Sequence, residues 1–409
     1  MRTFGAALVL SLLVSAWMWP LTRRMIDTGD FPDHLAVAET IVAHPSLPAP
    51  HFLFFGSVAG VMMALPGVSA RAAGVLVISV LHVGTALLIG WYLRRASGQL
   101  SPATIAVAAA LLVVGPILPL SFAPTQYLVG YFPSNPFHNA TFTTAKPFCL
   151  WLVLIAAAAV RSDRGAGLAV GGAAAVALTA ISKPNYLTCV VPALVAYAAW
   201  RRLTHRPVNW PATCAIVLPA VAAILVMQRL YGEKDVAVVV APLVALSYHV
   251  PIGPGLVWQL LGAIAFPIAV AALWPRLLSR RADLVLAWGA AVVAFGEGYL
   301  LAEAGTRIDH ANLLVAASQG VFVLMVASAA ALLSLPRAAS VPERLRRAGA
   351  WALFGLHVMG GVRHVMVKLT VDDWRHPLTY VAVAACLTWS AATLWPRRQL
   401  VATATQARA

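Results

Sequence analysis

The sequence predicts an all-α polytopic membrane protein, and three observations carry that expectation. Hydrophobic residues make up 61% of the 409 positions and charged residues only 11%, far too little charge to coat a soluble surface. The apolar residues come in runs of about 16–25, the length needed to cross a hydrocarbon core of roughly 30 Å. Between the runs lie short basic clusters: Arg94-Arg95, Arg161 with Arg164, Arg201-Arg202 with Arg206, Arg276 with Arg280-Arg281, Arg344 with Arg346-Arg347, and Arg397-Arg398. That is the pattern of cytoplasmic loops. It accounts for the net charge of +15 without a nucleic-acid surface, and no nucleic-acid partner is expected.

Taken in order, the first run covers 5–21. Trp17, Met18, Trp19 and Pro20 follow where a small-residue cleavage site would stand, so the run reads as an uncleaved span. Residues 22–71 form the first external loop. Within it, 33–43 reads as an amphipathic helix with Leu35, Ala38 and Val42 on one face. After Pro45, Pro48 and Pro50, Phe52 to Leu65 is apolar but too short to span, and Pro66-Gly67 closes it. Both are expected as juxtamembrane helices lying on the outer surface.

The remaining spans are placed at 72–93, 101–121, 141–160, 166–181, 185–200, 209–228, 255–274, 283–302, 311–335, 348–366 and 377–396. The result is one integral membrane domain, 1–409, of about twelve helices. Both termini fall on the cytoplasmic side, with 397–409 as a short basic tail. Making Phe52–Leu65 a span would place Arg94-Arg95 outside and invert everything after it, which the charge pattern rejects. Cys149, Cys189, Cys214 and Cys386 lie in or beside apolar runs without metal-like spacing, and read as small apolar residues.

The acids are scarce, 14 in all, yet Asp27, Asp30 and Asp33 fall together just past the first span, beside His34. On this threading the other unusual polar groups converge on the same external side. They are His138 and Asn139, Lys146 shortly inside the next span, Lys183-Pro184-Asn185-Tyr186 between two short spans, and Glu303, Arg307 and His310 near the end of another. Lys146, Lys183 and Glu297 stand in apolar sequence, where a charge must face a polar cavity or a partner. Asn139-Ala140-Thr141 matches a glycosylation sequon, a match frequent by chance. Cations suit a phosphate, carboxylates suit a metal or a hydroxyl proton, and the apolar surround suits a lipid tail.

An Asp just past the first span, flat helices after it and then many spans resemble the GT-C superfamily of membrane glycosyltransferases. The order Asp30-Phe31-Pro32-Asp33-His34-Leu35, Asn135-Pro136-Phe137-His138-Asn139, Lys183-Pro184 and Glu303…Arg307…His310-Ala311-Asn312 looks like an uncharacterised bacterial branch of it. The resemblance implies an external site on a bacterial inner membrane. There a sugar would pass with inversion from a polyprenyl-phosphate donor to a glycan or lipid acceptor of the cell envelope. It implies Asp30 as the base, Asp33 as the alternate and His34 in support. His138, Asn139, Lys146, Lys183, Glu303, Arg307 and His310 would bind substrate, with cations toward the phosphate. Asp27, Asp30 and Asp33 are spaced by three rather than as Asp-x-Asp, so the need for a divalent metal or other cofactor stays open. No soluble domain follows the last span, which makes a protein acceptor the less expected one. Two other classes compete: a twelve-span secondary transporter, and a ligase or polymerase of lipid-linked glycans.

Overall fold

A computed structural model describes residues 2–45, 52–117, 139–161, 166–231, 237–248, 255–305, 308, 313–336 and 338–368. Among these the chain forms α1 (Arg2–Met25), α2 (Phe31–Ala43), α3 (Phe52–Ala64), α4 (Ala70–Ser97), α5 (Pro102–Ala110), α6 (Ala140–Arg161), α7 (Ala166–Ser182) and α8 (Asn185–Leu203). It continues through α9 (Trp210–Tyr231), β1 (Val238–Val240), α10 (Val244–Ser247), α11 (Gly255–Leu273), α12 (Arg276–Arg280), α13 (Ala282–Leu300), β2 (Leu301–Glu303), α14 (Leu314–Leu333) and α15 (Val341–Lys368). Seven of the helices are long and apolar enough to cross a membrane: α1, α4, α6, α9, α11, α13 and α14. The span expected at 377–396 lies outside the described residues.

Helix α14 is the hub. Nearly every residue on it is buried, and it packs against α4, α6, α8, α11 and α13. Helices α1 and α9 stand at the rim and leave Phe4, Leu8, Leu12, Leu218 and Leu225 bare. A soluble protein does not leave such faces in water; a hydrocarbon solvent is their natural surround. Helix α13 runs antiparallel to α4, α6 and α14, and hydrogen bonds tie their ends together. Arg281, just ahead of α13, bonds Asp283 at 2.5 Å, Tyr92 near the end of α4 at 2.9 Å, and the Ala330 carbonyl near the end of α14 at 3.2 Å. Arg161 at the end of α6 donates to the Arg280 carbonyl at 3.2 Å. One end of the bundle thus gathers the basic clusters at 94–95, 161 and 276–281.

The first loop builds a small core of its own. Phe31, Leu35, Ala38 and Ile41 of α2 face Phe54, Phe55, Val58 and Ala59 of α3, and both helices lie against the start of α4. Gly74 permits that approach: a Cβ there would stand 2.7 Å from Leu35 Cδ2. At 13 residues each, α2 and α3 are about 20 Å long, short of a bilayer core.

One expected span is corrected. The run at 101–121 does not continue as a helix: α5 ends at Ala110, and a turn carries the chain into non-helical backbone through Ile117. Gly115-Pro116 is the reason, since proline lacks the N–H and disfavours helix at the residue before it. Freed backbone groups at such depth need partners. Gly115 N–H donates to the His357 carbonyl at 3.0 Å, and Ile117 N–H to the Gly262 carbonyl at 2.9 Å. Gly262 is available because α11 is itself kinked at Ile264 (φ −129°, ψ 20°), three residues ahead of Pro267. His357 completes the junction. Its Nε2 accepts from Phe266 N–H at 3.3 Å, so its Nδ1 carries the proton and donates to the Gly115 carbonyl at 2.6 Å. A Cβ on Gly361 would overlap the Val113 carbonyl oxygen. Gly361→Ala is therefore expected to destabilise the fold by at least the 1–3 kcal/mol of ordinary overpacking, about that range being usual. A lowered midpoint in thermal unfolding of the detergent-solubilised protein checks it.

Candidate functional site

The three acids past the first span meet different fates. Helix α1 stops at Met25, and Gly29 turns the chain in the left-handed region (φ 63°) before α2 begins with Pro32 in its first turn. Asp27 falls in the turn and is taken by Arg71, which donates through Nε and Nη2 at 2.7 Å each and binds the Arg23 carbonyl as well. That pair holds the Asp27 carboxyl below its usual range, through the Arg71 hydrogen bond first. Asp33 is exposed in the first turn of α2, where an acid suits the positive end of the helix.

Asp30 is the exception. It occupies the N-cap position of α2, where an aspartate ordinarily accepts from the first-turn N–H groups, yet its side chain makes no cap bond. Its Oδ2 instead accepts from Asn139 Nδ2 at 2.7 Å, across 109 residues of chain. Asn139 is itself fixed: its Oδ1 accepts from Thr141 N–H at 2.8 Å and from Thr141 Oγ1 at 2.6 Å, opening α6. The sequon match is thereby explained otherwise. Asn139 is only 9% exposed and its amide is engaged on both sides, so Thr141 serves as its partner within the fold.

His34 lies one turn past Asp30, tilted against Phe55 at 5.1 Å and edge-on to Phe54 at 6.2 Å between ring centroids. Burial there pushes its pKa down, opposed by the Asp30 carboxylate and by a hydrogen bond with Asn139. The imidazole is therefore neutral at pH 7. Its Nε2 is buried and has no hydrogen-bond partner among the described residues, an open position for a ligand group.

Lys183 stands in the turn between α7 and α8, 7% exposed, with Nζ 5.1 Å from the Phe142 ring centroid. Burial lowers its pKa to about 8, while the carboxylates of Asp30 and Glu303 act to raise it. Glu303 arrives through a two-stranded antiparallel ladder that pairs Val238 with Glu303 and Val240 with Leu301. That ladder was not expected from the sequence, although the β-branched run Val238-Val239-Val240 carried the signal.

Five of the sequence-derived residues, Asp30, His34, Asn139, Lys183 and Glu303, thus share one neighbourhood. It lies at the ends of α1, α7 and α13 and the starts of α2, α6 and α8, opposite the basic clusters. Lys146 does not share it. It sits about two helical turns (roughly 10 Å) into α6 beyond Asn139, buried, with Nζ 5.4 Å from the Phe322 ring centroid. There it lines a cavity of about 10 Å³ with Val114, Gly115, Ser318, Val321 and Met325, room for one water. Glu297 is also separate, accepting from Thr188 Oγ1 at 2.7 Å and Cys189 Sγ at 3.2 Å. His138, Arg307 and His310 lie outside the described residues. Among the described residues no group of three or more His, Cys, Asp or Glu converges to hold a metal ion. Thr141 is the residue the sequence reading missed, disguised as the third position of a sequon.

The separation of Asp27 from the site makes a prediction. Asp27→Asn removes one exposed ion pair, a weak contributor in water, and leaves Asp30 in place. With its carboxyl held down in the fold, Asp27 stabilises above its ordinary value of 3.8, and that contribution fades as pH falls through the lower folded value. The variant is expected to match the wild type in activity within a few fold, and to lose slightly less stability than the wild type on acidification. Thermal scans from pH 7 to pH 3 check this.

No family model, curated protein or solved structure matches this chain.

Proposed function

We propose that this protein is a membrane glycosyltransferase of GT-C type, transferring a sugar from a polyprenyl-phosphate donor to a glycan or lipid acceptor. The observation that supports it is Asp30: an N-cap aspartate that caps nothing and instead faces Asn139, His34 and Lys183 at one end of a helical bundle. In this reading the bundle has twelve spans in a bacterial inner membrane. The arginine-rich end faces the cytoplasm with both termini, and the Asp30 end faces outward with α2 and α3 lying on the surface.

Asp30 takes the proton of the acceptor hydroxyl, whose oxygen attacks the anomeric carbon from the face opposite the phosphate. The bond from that carbon to the phosphate oxygen breaks, and the polyprenyl phosphate departs with its electron pair. Lys183 meets the negative charge that grows on that phosphate. Neutral His34 offers Nε2 to a hydroxyl of either substrate. Arg307, His310 and His138 are assigned to the same donor, and Lys146 to the deeper apolar region that would receive the lipid.

The test uses the purified protein in proteoliposomes with a radiolabelled polyprenyl-phosphate sugar and an envelope extract as acceptor. Label is expected in the glycan or lipid fraction with inverted anomeric configuration. Uptake of a soluble solute without transfer would overturn the reading and favour a secondary transporter. That second reading draws on the two discontinuous segments, after α5 and within α11, that meet at buried His357.

A further inference from the structure

We propose that Thr141 and Asn139 form a positioning relay that sets the orientation of the Asp30 carboxylate, rather than a surface for substrate. The geometry runs in one direction. Thr141 donates twice to Asn139 Oδ1, from N–H at 2.8 Å and from Oγ1 at 2.6 Å, so the amide can present only its NH₂ to Asp30. That NH₂ meets Asp30 Oδ2 at 2.7 Å. Thr141 is fully buried and Asn139 nearly so, so neither competes with water. A donor on a carboxylate oxygen fixes the direction in which the group points, and each donor further back sharpens the one in front.

The relay also accounts for the idle cap. The carboxylate is held toward α6, away from the amides of α2, at the expense of a cap bond. Among the described residues, the charged and titratable groups facing Asp30 include His34 from α2, with Asp33 beyond it, and Lys183 from the α7–α8 turn, with Glu303 behind it. Asn139 also hydrogen-bonds His34, so Thr141→Val, which leaves Asn139 and all of these side chains in place, is the variant that isolates the relay.

The effect on rate rests on Asp30 being the base; the effect on its hydrogen bonding does not. Infrared spectra of the purified protein in lipid nanodiscs at pH 7, each with its own Asp30→Asn background subtracted, isolate the Asp30 carboxylate stretch, whose position reports the hydrogen bonds it accepts. Thr141→Val keeps the side-chain shape and deletes one donor. Asn139→Asp keeps the shape and turns a donor into a second carboxylate. Both are expected to displace that stretch, Asn139→Asp the more, while Thr141→Ser behaves as wild type. In the transfer assay kcat should fall in the two displaced variants, with the KM for donor unchanged. An Asp30 stretch at the same position in all four proteins would overturn the relay. So would a Thr141→Ser variant displaced as far as Thr141→Val. A displaced band with no transfer activity in any protein would keep the relay and remove the glycosyltransferase reading.

Discussion

Asp30→Asn is expected to lower the turnover of sugar transfer by about 10²–10⁴-fold, the usual worth of a positioned general base. Asp33→Asn should stay within a few fold of wild type. The two acids are three residues apart and chemically identical, so the contrast tests position alone. Asp33 sits exposed in the first turn of α2 and reaches the site only as a distant charge on His34. Asp30 is hydrogen-bonded to Asn139 and lies in the field of Lys183. The amide at position 30 would keep the contact with Asn139 by presenting its carbonyl, so folding and expression should hold while the proton acceptor is gone. Donor binding, measured by protection of Lys183 from amine-reactive reagents, should therefore survive in Asp30→Asn. Equal losses in both variants would move the base assignment off Asp30, and full activity in both would end it.

The choice between these acids was invisible in the sequence because spacing by three gives no preference. What decides it is a turn at Gly29, a helix start at Phe31 and an asparagine 109 residues away. The helices were legible for a simple reason: an apolar run of spanning length has few other uses, and the ends at 97, 161, 182 and 203 follow Gly, Arg, Lys-Pro and Arg signals. The failure at 101–121 has the same root. Averaged hydropathy cannot distinguish a continuous helix from one broken at Gly115-Pro116 when the broken part is buried against α11 and α15. Lys146 and Lys183 also looked equivalent, each a lone cation in apolar sequence. A cation inside α6 points across the bundle, whereas one in the α7–α8 turn stands at its mouth, and only packing tells them apart. Asn139 was read as a ligand contact because a sequence displays residue types but not which hydrogen bonds are already spent.

Lys183→Met is expected to slow transfer by about 10²–10³-fold, the scale seen when one preorganised donor to a developing oxyanion is removed. The wild-type protein should carry a basic limb near pH 8. Burial lowers the Lys183 pKa to about 8 against the pull of Asp30 and Glu303, so above that pH the ammonium empties and the phosphate loses its cation. Glu303→Gln removes one of the two carboxylates that hold the proton on, and should draw the limb to lower pH. Lys183→Arg keeps the charge at all accessible pH values and should flatten the limb, at some cost in rate because a planar fork replaces a point charge. Stability must move the other way. A lysine whose folded value lies below its free value of 10.5 binds more protons when unfolded, so it burdens the fold below pH 8. That burden lifts as pH rises from about 8 toward 10.5. Relative to Lys183→Met, which has no such group, the wild type should gain stability over the same interval in which it loses activity. Thermal midpoints of the two proteins between pH 7 and pH 10.5, set beside the transfer rates, test both signs together. A stability difference that does not change with pH would mean that the ammonium is solvated, and Lys183 would then be a poor candidate for the phosphate.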